Sequence, residues 1–335
     1  PVYEHWPPNS HTRIFIDSKN RADETIYARD VLGNFMSRAW RRPATTAEVE
    51  QKLTLFSTIR PKCDDSQQAV LEVLATVLAS PKFLYLVPPN RSVRTGQHKD
   101  KGKDKNADRL ADWELATRLS MFLWCSTPDE ELLDLAARGR LSDREVLAGQ
   151  VKRMLADARS RRFSKHFVRQ WLGMQLLDYL KVDRKTYRQF DPSLKEAMQE
   201  EPVAFFHEVL QHNHSVLDFI HADYTLANER LARHYGIPGI YGTRFRRVPL
   251  SNLDERGGLL GEAALLATTS YPDRTSPVLR GKWLLDNIFG LPVPPPPPGV
   301  DTTLEEQPGT RPPTIRERLA QHRRSPTCAS CHSVI

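Results

Sequence analysis

The feature that most constrains this chain is a helical rhythm that starts and stops many times. Over 24–40 the apolar residues fall at Ile26, Val31, Leu32, Phe35, Met36, Ala39 and Trp40. That spacing of three and four places them on one face of an α-helix. Arg41-Arg42-Pro43 ends the run, because proline disfavours helical backbone at the residue before it. Thr46 is expected to cap a second helix over 47–58, with Glu48 and Glu50 near its positive end. A third helix is predicted over 66–79. Ser80-Pro81 breaks it, and a short apolar segment follows over 82–86. These pieces predict a small helical bundle over 21–87.

The rhythm resumes over 109–250, where a larger helical domain is predicted. Trp113, Leu115, Ala116, Leu119, Phe122 and Leu123 share one face. Thr127-Pro128-Asp129-Glu130 is expected to open the next helix with proline at its first position. Gly139 stops that helix. Ser142-Asp143-Arg144-Glu145 reads as a capping box for a helix to 155. Another is predicted over 161–174. The longest, over 193–212, contains Pro202, which predicts a kink or a join of two helices. A short helix over 215–220 follows, then one over 223–235 with Leu226, Leu231 and Tyr235 on a face. Strand signals are few: 13–16 and 245–250. Gly257-Gly258 leads into an apolar helix over 259–268, and Ser276-Pro277 opens one over 278–289. Residues 251–293 are expected to pack on the larger domain. The fold class predicted is mainly α, with two helical-bundle regions and few short strands.

The joints have their own chemistry. Residues 88–108 begin with Pro88-Pro89 and carry Lys99, Lys101, Lys103 and Lys105 without apolar period. They read as a solvated, charged linker. Five prolines at 294–298 predict polyproline II, a stiff spacer rising about 3.1 Å per residue. This spacer, 294–313, leads to a last charged helix over 314–323. Residues 1–20 read as the tail of a preceding domain. The net charge of +7 comes from 48 Lys and Arg against 41 acids, spread over many helices. That distribution fits solvated faces and gives no nucleic-acid footprint. No apolar run reaches the roughly 18 residues of a membrane span. The chain opens at Pro1 without Met, so its start carries no information about secretion.

The chemistry-bearing motif is Cys328-Ala329-Ser330-Cys331-His332. C-x-x-C-H is the pattern of covalent haem attachment. Cys328 and Cys331 each offer a thiol to a haem vinyl group, and His332 follows as axial ligand and metal ligand to the iron. Three other readings compete. A redox C-x-x-C expects a βαβ setting, which the flanks lack. Structural zinc needs four ligands, so a fourth must come from elsewhere, His322 being six residues upstream. A plain disulfide is the simplest. Three residues follow His332, so 314–335 reads as the truncated start of a haem module. Met36, Met121, Met154, Met174 and Met198 all sit in helical patterns, where methionine fills cores. The distal ligand is therefore expected beyond Ile335. Cys63 and Cys125 either pair or stay as buried thiols; their positions do not choose. Asp223, Asn228, Glu229, His234 and Arg274 form a hydrolase-like grouping. Glu229 and His234 are five apart, so they do not share one helix face squarely. Residues 1–300 hold no Walker loop, G-x-S-x-G, H-E-x-x-H or dinucleotide fingerprint.

Several stretches then converge. They include Trp40-Arg41-Arg42-Pro43, Leu78-Ala79-Ser80-Pro81-Lys82-Phe83 and Leu119-Ser120-Met121-Phe122-Leu123-Trp124. Asp223-Tyr224 with Asn228-Glu229-Arg230-Leu231-Ala232-Arg233-His234-Tyr235-Gly236-Ile237 is another. The fullest is Thr275-Ser276-Pro277-Val278-Leu279-Arg280-Gly281-Lys282-Trp283, the proline run and the C-x-x-C-H. Together they resemble the planctomycete-type cytochrome c multidomain proteins, of unknown function. The resemblance implies export, to a periplasm or beyond, and covalent haem c. It implies partners that are redox proteins or other haem domains of the same protein, and no established substrate. The family usually continues with an Asp-Pro-x-Gly-Phe stretch, expected downstream of Ile335. Two functions follow as expectations. One is electron transfer or a haem-dependent oxidoreductase. The other is a non-catalytic helical binding or scaffold module of a larger multidomain cytochrome.

Overall fold

The structure is a computed structural model. It describes residues 6–86 and 111–292, except 181, 184, 186, 251–255 and 272–274, together with 314, 316, 317, 320 and 324. The expected linker at 88–108, the proline run at 294–298 and the C-x-x-C-H at 328–332 lie outside the described residues. The fold is mainly helical, as the periodicity predicts, with two short antiparallel strands among the described residues. It divides into two compact units, 1–179 with 190–265, and 180–189 with 266–335. Among the described residues no helix is long and apolar enough to cross a membrane.

The first bundle comprises α1 (Asn9–Ile14), α2 (Glu24–Ala39), α3 (Thr46–Ile59), α4 (Ser66–Leu78) and α5 (Pro81–Leu84). The strand expected at 13–16 is not one. Arg13 and Ile14 finish α1, and Phe15 N–H donates to His11 O at 2.8 Å, an α-helical bond. Phe15 is buried in the bundle core, and a run of four residues was too short to tell strand from helix end. Val31, Leu32 and Met36 of α2 meet Leu53 and Phe56 of α3 and Val70, Val73 and Val77 of α4 in that core. The cap of α3 is Thr45, not Thr46. Thr45 Oγ1 accepts from Glu48 N–H, and the Glu48 carboxylate accepts from Thr45 N–H at 2.8 Å. A true capping box needs the acid three residues on, and Glu48 stands three from Thr45.

The end of α2 ties the bundle together. Arg41 has left-handed backbone, φ 61°. Its guanidinium donates to the carbonyl oxygens of Ala39, Lys82, Phe83 and Tyr85, with Lys82 nearest at 2.9 Å. Glu48 sits between Arg42, at 2.7 and 3.0 Å, and Lys82, at 2.5 Å. The Arg42 fork holds its carboxyl well below the usual carboxylate range, with Lys82 and the Thr45 N–H adding to the effect.

The second region opens with α6 (Asp112–Trp124), α7 (Glu130–Ala137), α8 (Arg144–Ala156) and α9 (Ser160–Trp171). Trp124 is fully buried and donates Nε1–H to Met154 O at 2.9 Å. Arg159 lies over its ring at 3.4 Å. Two predicted starts shift. Asp129 caps α7 through Leu132 N–H, so Pro128 stands before the cap instead of inside the helix. At α8 the capping position belongs to Asp143, whose carboxylate goes to Arg140 at 2.6 Å and makes no cap bond.

α10 (Pro192–His212) runs unbroken through Pro202, one helix and not a join of two. After it come β1 (Tyr224–Ala227), α11 (Glu229–Tyr235) and β2 (Arg246–Pro249). The strands pair antiparallel, Tyr224 opposite Pro249 and Ala227 opposite Arg246. The extended reading of 245–250 holds, whereas the single helix expected over 223–235 is a strand followed by a helix. All four β1 residues are buried, so the alternation that marks a half-buried strand is missing. Asn228 Oδ1 accepts from Leu231 N–H and starts α11 there. The helix expected over 259–268 is likewise interrupted, by Glu262 between a 3₁₀ turn and α12 (Ala263–Thr268). In the second unit Ser276 caps α13 (Pro277–Leu284), which continues as a π turn over Leu285–Phe289.

Met36, Met154, Met174 and Met198 are buried, as core residues should be. Cys63 and Cys125 are both free thiols. Cys63 packs half-buried against the first core, and Cys125 is exposed at the left-handed end of α6, so the two do not pair and only one is shielded.

Candidate functional site

The inner face of α10 carries Leu194, Ala197, Met198, Glu201 and Phe205. Glu201 thus occupies an apolar stripe position, and it is almost completely buried. Its Oε1 accepts from Thr225 Oγ1 of β1 at 2.8 Å, and its Oε2 from the Tyr235 hydroxyl of α11 at 2.5 Å. The same Tyr235 oxygen accepts from Ala263 N–H at 2.9 Å. Glu262, at the break before α12, is buried beside it, and neither of its carboxyl oxygens has a hydrogen-bond partner. Arg256 stands over the Tyr235 ring at 3.9 Å and donates to Gly261 O.

Burial sets the electrostatics. It pushes the Glu201 carboxyl up to about 7, against the hydrogen bonds from Tyr235 and Thr225 and the Arg256 charge. Burial, and then the charge of Glu201, push Glu262 well above the usual carboxylate range. Tyr235 is raised by the same burial and the same neighbour. Burial thus favours the protonated form of both carboxyls.

A carboxyl poised near neutrality is chemically capable of moving a proton. The space around it is small. The cavity that Glu201, Glu262, Tyr235 and Arg256 line holds about 10 Å³, near the smallest that admits a single water. Gly257 and Gly258 close it. A Cβ on Gly257 would stand 2.6 Å from Ala222 O, and one on Gly258 2.7 Å from Ile220 O. The hydrogen bonds of the cluster tie α10, β1, α11 and the start of α12 together.

An open feature lies elsewhere. Met121, Phe122 and Cys125 from α6 and Phe163, Phe167 and Trp171 from α9 line an apolar groove of about 860 Å³. Its aromatic wall continues inward from Phe163 through Phe167 to Phe206 and Phe219. Burial pushes the Cys125 thiol up more than the Arg162 charge draws it down, so it is not an activated nucleophile.

The residues singled out in the sequence fare as follows. Cys328, Cys331, His332 and Arg274 lie outside the described residues. Asp223 is exposed, with Arg247 3.9 Å away. Asn228 is spent as the cap of α11. Glu229 accepts from Arg233 and from Gly242 N–H, each at 2.8 Å. His234 is exposed at the end of α11, and partial desolvation lowers its pKa. Asn228 and Glu229 each have a local structural task, and the hydrolase-like grouping gains no support. Glu201 and Glu262 were missed. Glu201 carried a usable signal, an acid at the buried phase of a long apolar stripe, and Glu262 carried none.

Three family models match. The one described as PSD5, protein of unknown function (DUF1595), matches 27–87. PSD4, protein of unknown function (DUF1592), matches 110–237. PSCyt3, protein of unknown function (DUF1588), matches 256–335. No curated protein and no solved structure matches.

Proposed function

Because the chain belongs to the planctomycete-type cytochrome c multidomain families, of unknown function, we propose that it carries a covalent c-type haem and serves electron transfer or a haem-dependent oxidation in an exported protein. The observation that carries this reading is the C-x-x-C-H at 328–332, which falls inside the stretch matched by PSCyt3. The donor set fits the group: two thiols for thioether bonds and an imidazole directly after them. Cys328 and Cys331 would anchor the haem and His332 would bind the iron. A bound haem supplies a one-electron iron couple. A redox protein, or another haem domain of the same protein, would exchange that electron.

The test uses the full-length protein matured in an exporting host. The peptide spanning 328–332 should carry the mass of one haem, and Cys331→Ala should remove a thioether bond. A haem-free peptide in an otherwise matured protein would leave a disulfide or a zinc site in its place.

A second reading, a non-catalytic helical binding or scaffold module, is favoured for residues 6–265 by one observation. Among the described residues, the buried acid pair Glu201 and Glu262 lines a cavity with room for about one water. The two readings coexist if the helices carry and present a haem they do not themselves use.

A further inference from the structure

α10 ends in a turn that folds a histidine back on the helix it has just left. Asn213 adopts left-handed backbone, φ 51°, and His214 N–H donates to Val209 O at 3.0 Å. That bond lays the His214 ring against the His212 ring, centroids 5.6 Å apart and 27° from parallel. Glu208 lies one helical turn before His212, so its carboxylate reaches both rings. Glu208 Oε2 is 3.4 Å from His212 Nδ1, and Glu208 Oε1 is 3.8 Å from His214 Nε2. One ligating atom from each of the three lies within 4.8 Å of the other two.

We propose that Glu208, His212 and His214 form a binding site for a divalent transition-metal ion, zinc above all. Four ligands held tetrahedrally at about 2.0–2.1 Å from zinc stand about 3.3 Å apart. The carboxylate stands 3.4 and 3.8 Å from the two imidazoles through different oxygens, so side-chain rotation must draw the set together, and His212 Nδ1 would give up its 3.1 Å contact with Glu208 O. Two imidazoles and a carboxylate suit zinc or copper(II), whereas calcium and magnesium want oxygen. The second observation is His214 Nε2. It is shielded from solvent and has no hydrogen-bond partner, although it faces Glu208. An unpartnered buried nitrogen is costly, and a metal ion would satisfy it. The helix end adds the negative pole of its dipole at the same place. Tyr224, with its ring 6.1 Å from His214, is no rival ligand, because its hydroxyl donates to Asp218 and burial keeps it protonated. Three protein ligands leave a coordination position for water.

The bland alternative is a histidine–carboxylate contact of the kind that contributes little at a surface. Calorimetric titration of the chelator-stripped full-length protein with Zn²⁺ separates the two. Cys328 and Cys331 must carry haem or, where they carry none, be alkylated, so that they do not compete. One Zn²⁺ per chain is expected, with at least tenfold weaker binding in His212→Ala and His214→Ala and none of that loss in His11→Ala. X-ray absorption at the zinc edge should show nitrogen and oxygen neighbours without sulfur. Glu208→Gln keeps the side-chain volume on α10 and guards against misfolding of the histidine variants; it too should bind at least tenfold more weakly. No stoichiometric binding, or affinity unchanged in Glu208→Gln or in both histidine variants, overturns the proposal.

Discussion

The bundle of α2 to α5 and the core around α10 both bury charged side chains, and they do so in opposite ways. In the bundle, Arg41 is buried with a carbonyl oxygen for nearly every N–H it has, and Glu48 is gripped by Arg42 and Lys82. Most donors meet an acceptor, and the charges are kept. Under the sheet, Glu201 has two hydroxyl donors and Glu262 has none. There the environment raises both carboxyls and favours their protonated forms. A buried acid keeps its charge only where fixed donors replace the water it lost.

The largest expected effect comes from removing the centre of the second core. Glu201→Ala should cost about 3–5 kcal/mol in urea unfolding, since it strips the acceptor from Thr225 and Tyr235 and opens a cavity. A loss below about 1 kcal/mol would mean that the network is not what holds α10 to the sheet.

The comparison sharpens with pH. Glu201 rises from an ordinary 4.5 unfolded to about 7 folded. A group raised on folding contributes stability that is complete below the unfolded value and is lost as pH rises through the folded one. The fully buried site makes this on the order of 3 kcal/mol between those limits. Glu48 is lowered instead, so its contribution is present above 4.5 and is lost as pH falls. Amide exchange should therefore show α10 and α11 losing protection from about pH 5 to about pH 8, while α3 holds. Glu201→Gln should weaken the first trend, leaving the part that comes from the raised Glu262. Equal trends in both regions would break the contrast.

Two smaller effects test the bundle. Arg41→Ala should cost about 2 kcal/mol, chiefly by leaving the carbonyls of Lys82, Phe83 and Tyr85 without donors, and α5 should lose exchange protection first. Thr45→Ala should cost about 1 kcal/mol, and Thr46→Ala much less, because only Thr45 closes the capping box.

The legibility of the fold followed the same division. α2, α4, α6 and α10 could be read because a long apolar stripe and a proline or a cap marked their ends. Thr45 and Thr46 are adjacent hydroxyls, and only the position of Glu48 distinguished them. β1 was hidden because burial on every side erased its alternation. Leu231 and Tyr235 keep helical spacing inside α11, and Leu226, five residues before, was drawn into the same helix although it belongs to β1. The acid cluster was hidden for another reason: a buried Glu and a surface Glu are the same letter, and Glu262 sits in no stripe. The C-x-x-C-H was the reverse case, plain in the sequence as a pattern because its five residues are contiguous, and it lies outside the described residues.

Gly257 and Gly258 bear on how freely this chain can vary. The atoms that a new Cβ would strike at either position are backbone: Ala222 O in one case, Ile220 and Phe219 in the other. A flexible neighbour can swing away, but the main chain beside the sheet cannot. In a scan of every single substitution, these two positions should stand as blank columns in which even alanine fails. The exposed Asp223 nearby should accept most residues. Drift in the sequence would then be steered around one pair of missing side chains, and the 219–222 turn, which presses on them, would inherit their rigidity.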